Sequence, residues 1–450
     1  MVLRIEFLNQ NAIQKASITM AVAGKALVVD PATKVPIKFT GAQNISKTYD
    51  LTRDLPKGID VHHAISLRFY VSLGTPLDAS QFNAWGAPSL TNPSDPNWNV
   101  RWDIFEVTVT PTPGDYGDLS TINGYAIPMA IDTFKEPTPR KVPGTGMSTA
   151  RSYKAGDPYG ALKALMNANS ANNNYGGYPP LVPANGIVTN GGQFVRLIGP
   201  NNGGFSPTLA MGGPFPSFNG YLEKVYSGGI TTKFTDDGEV PGHTWDLKAG
   251  AIAVMNTHQM TLGGKIDGTD FSMRIDADSN VGTASAMYTF SSMVYMAPGP
   301  GTGNPGLHFT IGGQKSSEQD AVNKFGHDTV AQIYHDLFTA YTFGVIGNQQ
   351  KVAGWSDPTY GNLSLNDMGS AGWRQLALDA IPSSQIPLFS KNILGPGCHN
   401  EWASTIYASS TTVYGFAYSD AFQPSIPQYS CQMKDGTPVN SWLVTILEDP

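Results

Sequence analysis

Along the first 150 residues, apolar and polar positions alternate in short runs. Ile5–Leu8, Ser17–Val22, Ser66–Val71 and Trp102–Val109 place β-branched or aromatic residues with the period of a strand. Turn-rich intervals such as Gly86–Asn99 separate them. After residue 150 the pattern changes. Asp157-Pro158 ahead of ALKALM has the form of an N-cap followed by proline at the first helical position, which predicts a short helix through about Asn169. The Asn- and Gly-rich sequence Asn167–Gly192 predicts a long loop, and strand character returns at Gln193–Ile198, Tyr221–Tyr226, Ala251–Met255, Phe271–Ile275 and Met287–Met296. PGPGTGNPG, ending at Gly306, reads as a hinge or boundary. The clearest helix is Asp328–Val345, where Val330, Ile333, Tyr334, Leu337, Phe338 and Tyr341 recur at three-and-four spacing. An earlier turn starts at Ser317 with Asp320 in capping-box position, and Gly326 interrupts the two. A further helix is predicted near Met368–Ala380 and a returning strand at Val439–Leu447.

These elements divide the chain into a first part of a β core (1–150), a loop-rich β region completing it (151–310), a mixed α/β lobe (311–435) and a C-terminal strand (436–450). The fold class is mainly β with an added α/β lobe. Composition agrees: only 14% of residues are charged, while 49 Gly and 33 Pro favour turns and short strands. The surface must then rest on Asn, Ser, Thr and Gln, which suits neutral, hydroxyl-rich ligands. A net charge of −7 with no dense Lys/Arg run argues against nucleic acid as a partner. The eight His residues show no metal-ligand spacing, so neither metal nor cofactor is expected. Cys398 and Cys431 allow one disulfide or two reduced thiols. MVLRIEFLNQ lacks an apolar stretch with a cleavage site, and no run of 18 apolar residues suggests a membrane span, which leaves the compartment open.

The densest chemistry lies in Arg101–Met129. If 102–109 is a strand, Trp102, Ile104, Glu106 and Thr108 share one face, and Phe105, Val107 and Val109 enter the core. Trp102 is then placed to stack on a sugar ring, Thr108 to donate a hydrogen bond and Glu106 to act as an acid. A solvent-facing Glu on an exposed sheet has the same signature. Sugar hydrolysis ordinarily needs a second carboxyl group. Asp103 alternates to the opposite face; Asp115 and Asp118 lie in a Gly-containing loop, where Asp is also a common turn former. Asn123 has the shape of a partner without an ionisable oxygen. Tyr116 and Tyr125 are candidates to line a groove, Trp442 and Phe416 read as core, and Glu401 reads as a surface acid or a third acidic group.

IEFLNQ, ITMAVAGKAL, WDIFEVT, LSTINGYAIPM, HNEWASTIY and YGFAYSDAFQ together resemble glycoside hydrolase family 64, the β-1,3-glucanases of thaumatin-like architecture. The resemblance implies a β-sandwich or barrel joined to an α/β portion across a groove. It also implies inverting cleavage of β-1,3-glucan or a related neutral polysaccharide, and a typically secreted protein. It puts the catalytic Glu at Glu106, with Thr108 beside it in the groove. The family's second acid falls on Asn123, and Tyr418-Ser419-Asp420 replaces one acid of a YDD segment. Asp118, Asp115 or Asp420 must then fill the vacancy, with Asn123, Tyr125 and Asp420 contacting substrate. The alternatives are an inactive glucan binder or a structural, self-associating protein on the same scaffold.

Overall fold

The computed structural model describes residues 2–22, 25–40, 47–82, 88–110, 116–134, 158–170, 186–200, 215, 217–236, 238, 240–255, 257–278, 289–301, 306–379, 381, 385–389, 394–395, 397–409, 428–430 and 439–449. The first part forms β1 (Leu3–Asn9), β2 (Ala16–Val22), β3 (Lys25–Val29), β4 (Pro36–Thr40), β5 (Lys47–Asp50), β6 (Ile59–Leu73), β7 (Arg101–Val109), β8 (Tyr116–Ser120), β9 (Gly124–Tyr125) and β10 (Met129–Phe134). β6 is the hinge of the core. Its first half pairs with β1 and β3, its second half with β2 and β7. Between the halves the register shifts from Ala64 to Leu67, and Ser66 adopts φ 52°, a bulge that turns one strand into a member of two layers.

The inward faces of these layers meet in one thaumatin-like sandwich core. Ile5, Ile18, Phe69, Phe105 and Val107 are all fully buried, with the Phe69 and Phe105 rings stacked at 4.7 Å. Two late strands, β19 (Gln428–Ser430) and β20 (Ser441–Ile446), complete the sheet. β20 lies parallel to β1 and antiparallel to β10, while β19 covers the edge of β8. The predicted C-terminal strand therefore does return to the β body, carrying Trp442 into the core at 0% exposure.

β11 (Ile187–Asn190) and β12 (Gln193–Ile198) form a hairpin that pairs with β9. Next comes a six-stranded antiparallel meander: β13 (Thr232–Thr235), β14 (Trp245–Val254), β15 (Thr257–Ile266), β16 (Thr269–Ile275), β17 (Leu307–Ile311) and β18 (Gln314–Ser316). Helices back this sheet, with Phe271 meeting Phe325 of Glu318–Phe325 and Phe234 meeting Trp373 of Leu365–Leu378. The fold is thus a β-rich sandwich with an additional α/β lobe.

Helix boundaries follow their local chemistry. Ser317 and Asp320 form the expected capping box, Gly326 with φ 84° separates the helices, and His327–Phe343 buries the predicted stripe. The helix predicted from Asp157 occupies Pro158–Ser170.

Two expected strands are helices instead. Tyr221–Tyr226 lies within helix Asn219–Ser227, which buries Tyr221, Leu222 and Val225. YLEKVY satisfies both periods over six residues, and its Leu, Glu and Lys favour the helix. In the segment Met287–Met296, helix Phe290–Met296 is buried on nearly every side. Such a helix shows no period and cannot be told from a buried strand by pattern alone.

A third difference matters more for function. The segment holding Asp118 is a strand, not a loop. Gly117 is the reason it fits, since a Cβ there would stand 2.4 Å from both the Trp442 ring and the Glu106 carbonyl. Asp115, Asp420, Phe416 and Cys431 lie outside the described residues. Cys398 is buried, its Sγ 3.6 Å from Lys224 Nζ.

Candidate active site on the open sheet face

β7 alternates as its sequence predicts: Phe105, Val107 and Val109 are buried, whereas Ile104, Glu106 and Thr108 are half-exposed. The pairing of neighbouring strands then builds a row. Arg68 of β6 stands opposite Glu106, and Glu106 stands opposite Asp118 of β8. Directly opposed residues in an antiparallel pair point to the same face with Cβ atoms about 4.5–5.5 Å apart. Two carboxylates and one guanidinium therefore share a patch of sheet. Arg68 Nε donates to Glu106 Oε2 at 2.8 Å, with side-chain exposures of 33% and 25%. Burial lowers the Arg68 pKa, but the charge of Glu106 and its hydrogen bond outweigh that and raise it. Thr108 lies on the same face, where its Oγ1 accepts the Ser66 N–H of the β6 bulge at 3.2 Å.

Arg68 also lines a cleft of about 240 Å³ together with Tyr70, Trp102, Ser120, Asn123 and Arg196. Glu106 and Asp118 lie outside its lining and connect to it through Arg68. Asn123 is exposed at this cleft, on the turn between β8 and β9, and Gly199 donates its N–H to the Asn123 carbonyl at 2.9 Å. Tyr125 is buried and forms part of the same wall.

Trp102 has the predicted direction but only 6% exposure. Tyr70 packs against its ring at 5.6 Å, and the Arg196 guanidinium sits 5.4 Å from its centroid. Arg196 holds this cover in place by donating from Nη2 to the carbonyls of Asn97, Trp98 and Val100. Burial pushes the Arg196 pKa down to about 10, against the pull of Asp95 and Asp103. Tyr70, on the side of Arg68, has its pKa pushed up to about 12, chiefly by burial.

Asp103 points into the core face, as its alternation requires, and there it has a structural task. Its carboxylate accepts the backbone N–H groups of Ile104, Ala126 and Ile127 at 2.9–3.1 Å, tying the Asn123–Ile127 segment to β7. Burial raises its pKa from 3.8 to about 7 despite those hydrogen bonds and the charge of Arg101. The folded state therefore binds the proton more tightly than the unfolded chain. This group's contribution to stability is fully present below about pH 3.8 and is lost as pH rises through about 7. Urea denaturation of wild type and Asp103→Asn across this window is expected to show a difference that shrinks by a few kcal/mol at most between about pH 4 and 8. Parallel stability curves would contradict it.

Arg68 and Arg196 are not singled out by the sequence, whereas Asp103, weighed there as a partner acid on the opposite face, is buried on that face and ties backbone together. Arg68 alternates with Tyr70 inside a predicted strand, but only the strand pairing puts it against Glu106. Glu401 opens helix Glu401–Ser409 beside Tyr295. Among the described residues no group of three or more His, Cys, Asp or Glu is placed to hold a metal, and no helix is long and apolar enough to cross a membrane.

The fold is a β-rich sandwich with an added α/β lobe, and β7 and β8 carry Glu106 and Asp118 in cross-strand register next to a cleft of mixed polarity. The family model described as beta-1,3-glucanase, glycoside hydrolase family 64, matches residues 4–233, just over half the chain, and the chain belongs to that family. The chain is similar in fold to a laminaripentaose-producing β-1,3-glucanase solved with laminaritetraose, at a TM-score of 0.50 and 14% identity over 100% of this chain and 99% of that one. A β-1,3-glucanase domain from Clostridium beijerinckii gives 0.49 and 15%, over 99% and 97%. No curated protein matches the chain.

Proposed function

We propose that this protein hydrolyses β-1,3-glucan within the chain, on the sheet face that carries Glu106 and Asp118. The observation that carries the reading is the cross-strand register of these two acids beside the cleft. Glu106 transfers its proton to the glycosidic oxygen as the bond from that oxygen to the anomeric carbon breaks. Asp118 takes a proton from the water whose oxygen bonds to that carbon, and exchange with solvent restores both groups.

Asn123 occupies the position of the family's second acid and has no ionisable oxygen at neutral pH, so Asp118 supplies the missing carboxylate. The exposed Asn123 amide is suited to glucan hydroxyls at the cleft. Inversion, as the family resemblance implies, needs the carboxyl groups roughly 6.5–9.5 Å apart to seat a water. Cross-strand side chains start closer than that, so inversion requires the Asp118 carboxyl to sit farther from Glu106 than its Cβ does.

Purified protein incubated with laminarin is expected to release soluble oligosaccharides, with the α-anomer as the first product in proton NMR. A β-anomer would contradict inversion. Absence of any product would contradict hydrolysis and favour a second reading, glucan binding without turnover, to which Asn123 gives specific support.

A further inference from the structure

We propose that Arg68 is a positioning residue of this site, holding one oxygen of Glu106 so that the other meets the substrate and offsetting the like charge of Asp118. The inference rests on the proposed hydrolysis and deepens it.

The geometry is specific. Glu106 is flanked across the sheet by Arg68 on β6 and Asp118 on β8, so its two strand neighbours carry opposite charges. Like charges placed directly opposite on neighbouring strands are destabilising, and a cation on the other side relieves that. The Arg68 Nε contact takes up Oε2 of Glu106. Oε1 is then the oxygen left to face a ligand. Tyr70, the next residue on the same face of β6, packs on the Trp102 ring and flanks Arg68. The guanidinium is thus held between an aromatic wall and the acid, with an edge in the cleft. Arg68 is in this way the one described side chain that both lines the cleft and bonds Glu106.

The electrostatic consequence has a definite sign. A neighbouring cation favours the ionised form of a carboxyl group and a neighbouring anion disfavours it. Arg68 and Asp118 therefore act on the charge of Glu106 in opposite directions. Removing Arg68 leaves Asp118 unopposed. The carboxyl also loses the Nε contact that fixes its Oε2, and with it the aim of Oε1 at the glycosidic oxygen.

The test compares Arg68→Met, Arg68→Lys and Glu106→Gln on laminarin across pH. Arg68→Met is expected to lower kcat by roughly 10- to 100-fold with KM little changed, the size of a misplaced catalytic group. Arg68→Lys keeps a cation able to donate to Glu106, so it is expected to recover part of the lost kcat. Circular dichroism melts and retention on insoluble glucan establish that each variant is folded. A folded Arg68→Met with wild-type kcat overturns the proposal while leaving hydrolysis at Glu106 intact. Glu106→Gln with wild-type turnover overturns the catalytic reading itself, and this inference with it.

Discussion

Glu106→Gln is expected to lower laminarin hydrolysis by roughly two to four orders of magnitude, because it removes the proton that the leaving oxygen requires. Gln keeps the shape of the side chain and can still accept from Arg68 Nε, which donates to Glu106 at 2.8 Å. The position is only partly buried, so the loss of this ion pair should change stability by about 1 kcal/mol or less. Binding to insoluble β-1,3-glucan is expected to persist. The variant thus separates chemistry from folding and from substrate capture. Initial rates of reducing-end release, measured beside a glucan pull-down and a thermal melt, check all three. A rate within a few-fold of wild type would remove Glu106 from the mechanism.

The second large effect concerns the α/β lobe. Arg374 on helix Leu365–Leu378 donates from Nη1 to Asp336 on helix His327–Phe343, with side-chain exposures of 4% and 0%. Arg374 Nη2 also donates to the Thr235 carbonyl of β13 at 2.6 Å, so one guanidinium joins two helices to the six-stranded sheet. Truncating Arg374 leaves a buried carboxylate without its charge partner, which costs about 3–5 kcal/mol. Arg374→Met is therefore expected to lower the denaturation midpoint strongly. The double variant Arg374→Met, Asp336→Leu is expected to recover much of the loss, because the remaining side chains are apolar and no charge is stranded. If the double variant is no better than the single one, charge burial is not the source of the effect.

The β core was legible from sequence because its layers each bury one face. Period two in WDIFEVTV fixed which side of β7 turns inward, and the structure keeps that assignment from Phe105 through Val109. The helix at His327–Phe343 was legible for the corresponding reason, an apolar stripe with a capping box just upstream. What failed were short segments whose burial is set by the tertiary fold. YLEKVY reads as either period, and FSSMVYM has none because it is covered all round.

The candidate site was half legible. Glu106 and its face follow from alternation, whereas Asp118 reads as a partner acid in a loop and stands instead on a strand. Gly117 and Asp118 together look like a turn, yet Gly117 is there to admit Trp442, a residue more than three hundred positions away in sequence. Pairing partners are likewise absent from a single strand's pattern, so Arg68 could not be linked to Glu106 before the register was known. Trp102 shows the converse: its direction was correct, but the cover supplied by Tyr70 and Arg196 depends on distant segments.

The most direct test of the central claim compares Asp118→Asn with Asn123→Asp on laminarin at the pH of maximal activity. Asp118→Asn is expected to cut reducing-end release to roughly one part in a hundred or less, while Asn123→Asp leaves the activity of the Asp118-containing enzyme within a few-fold. Full activity in Asp118→Asn would contradict the assignment of the second carboxylate to β8.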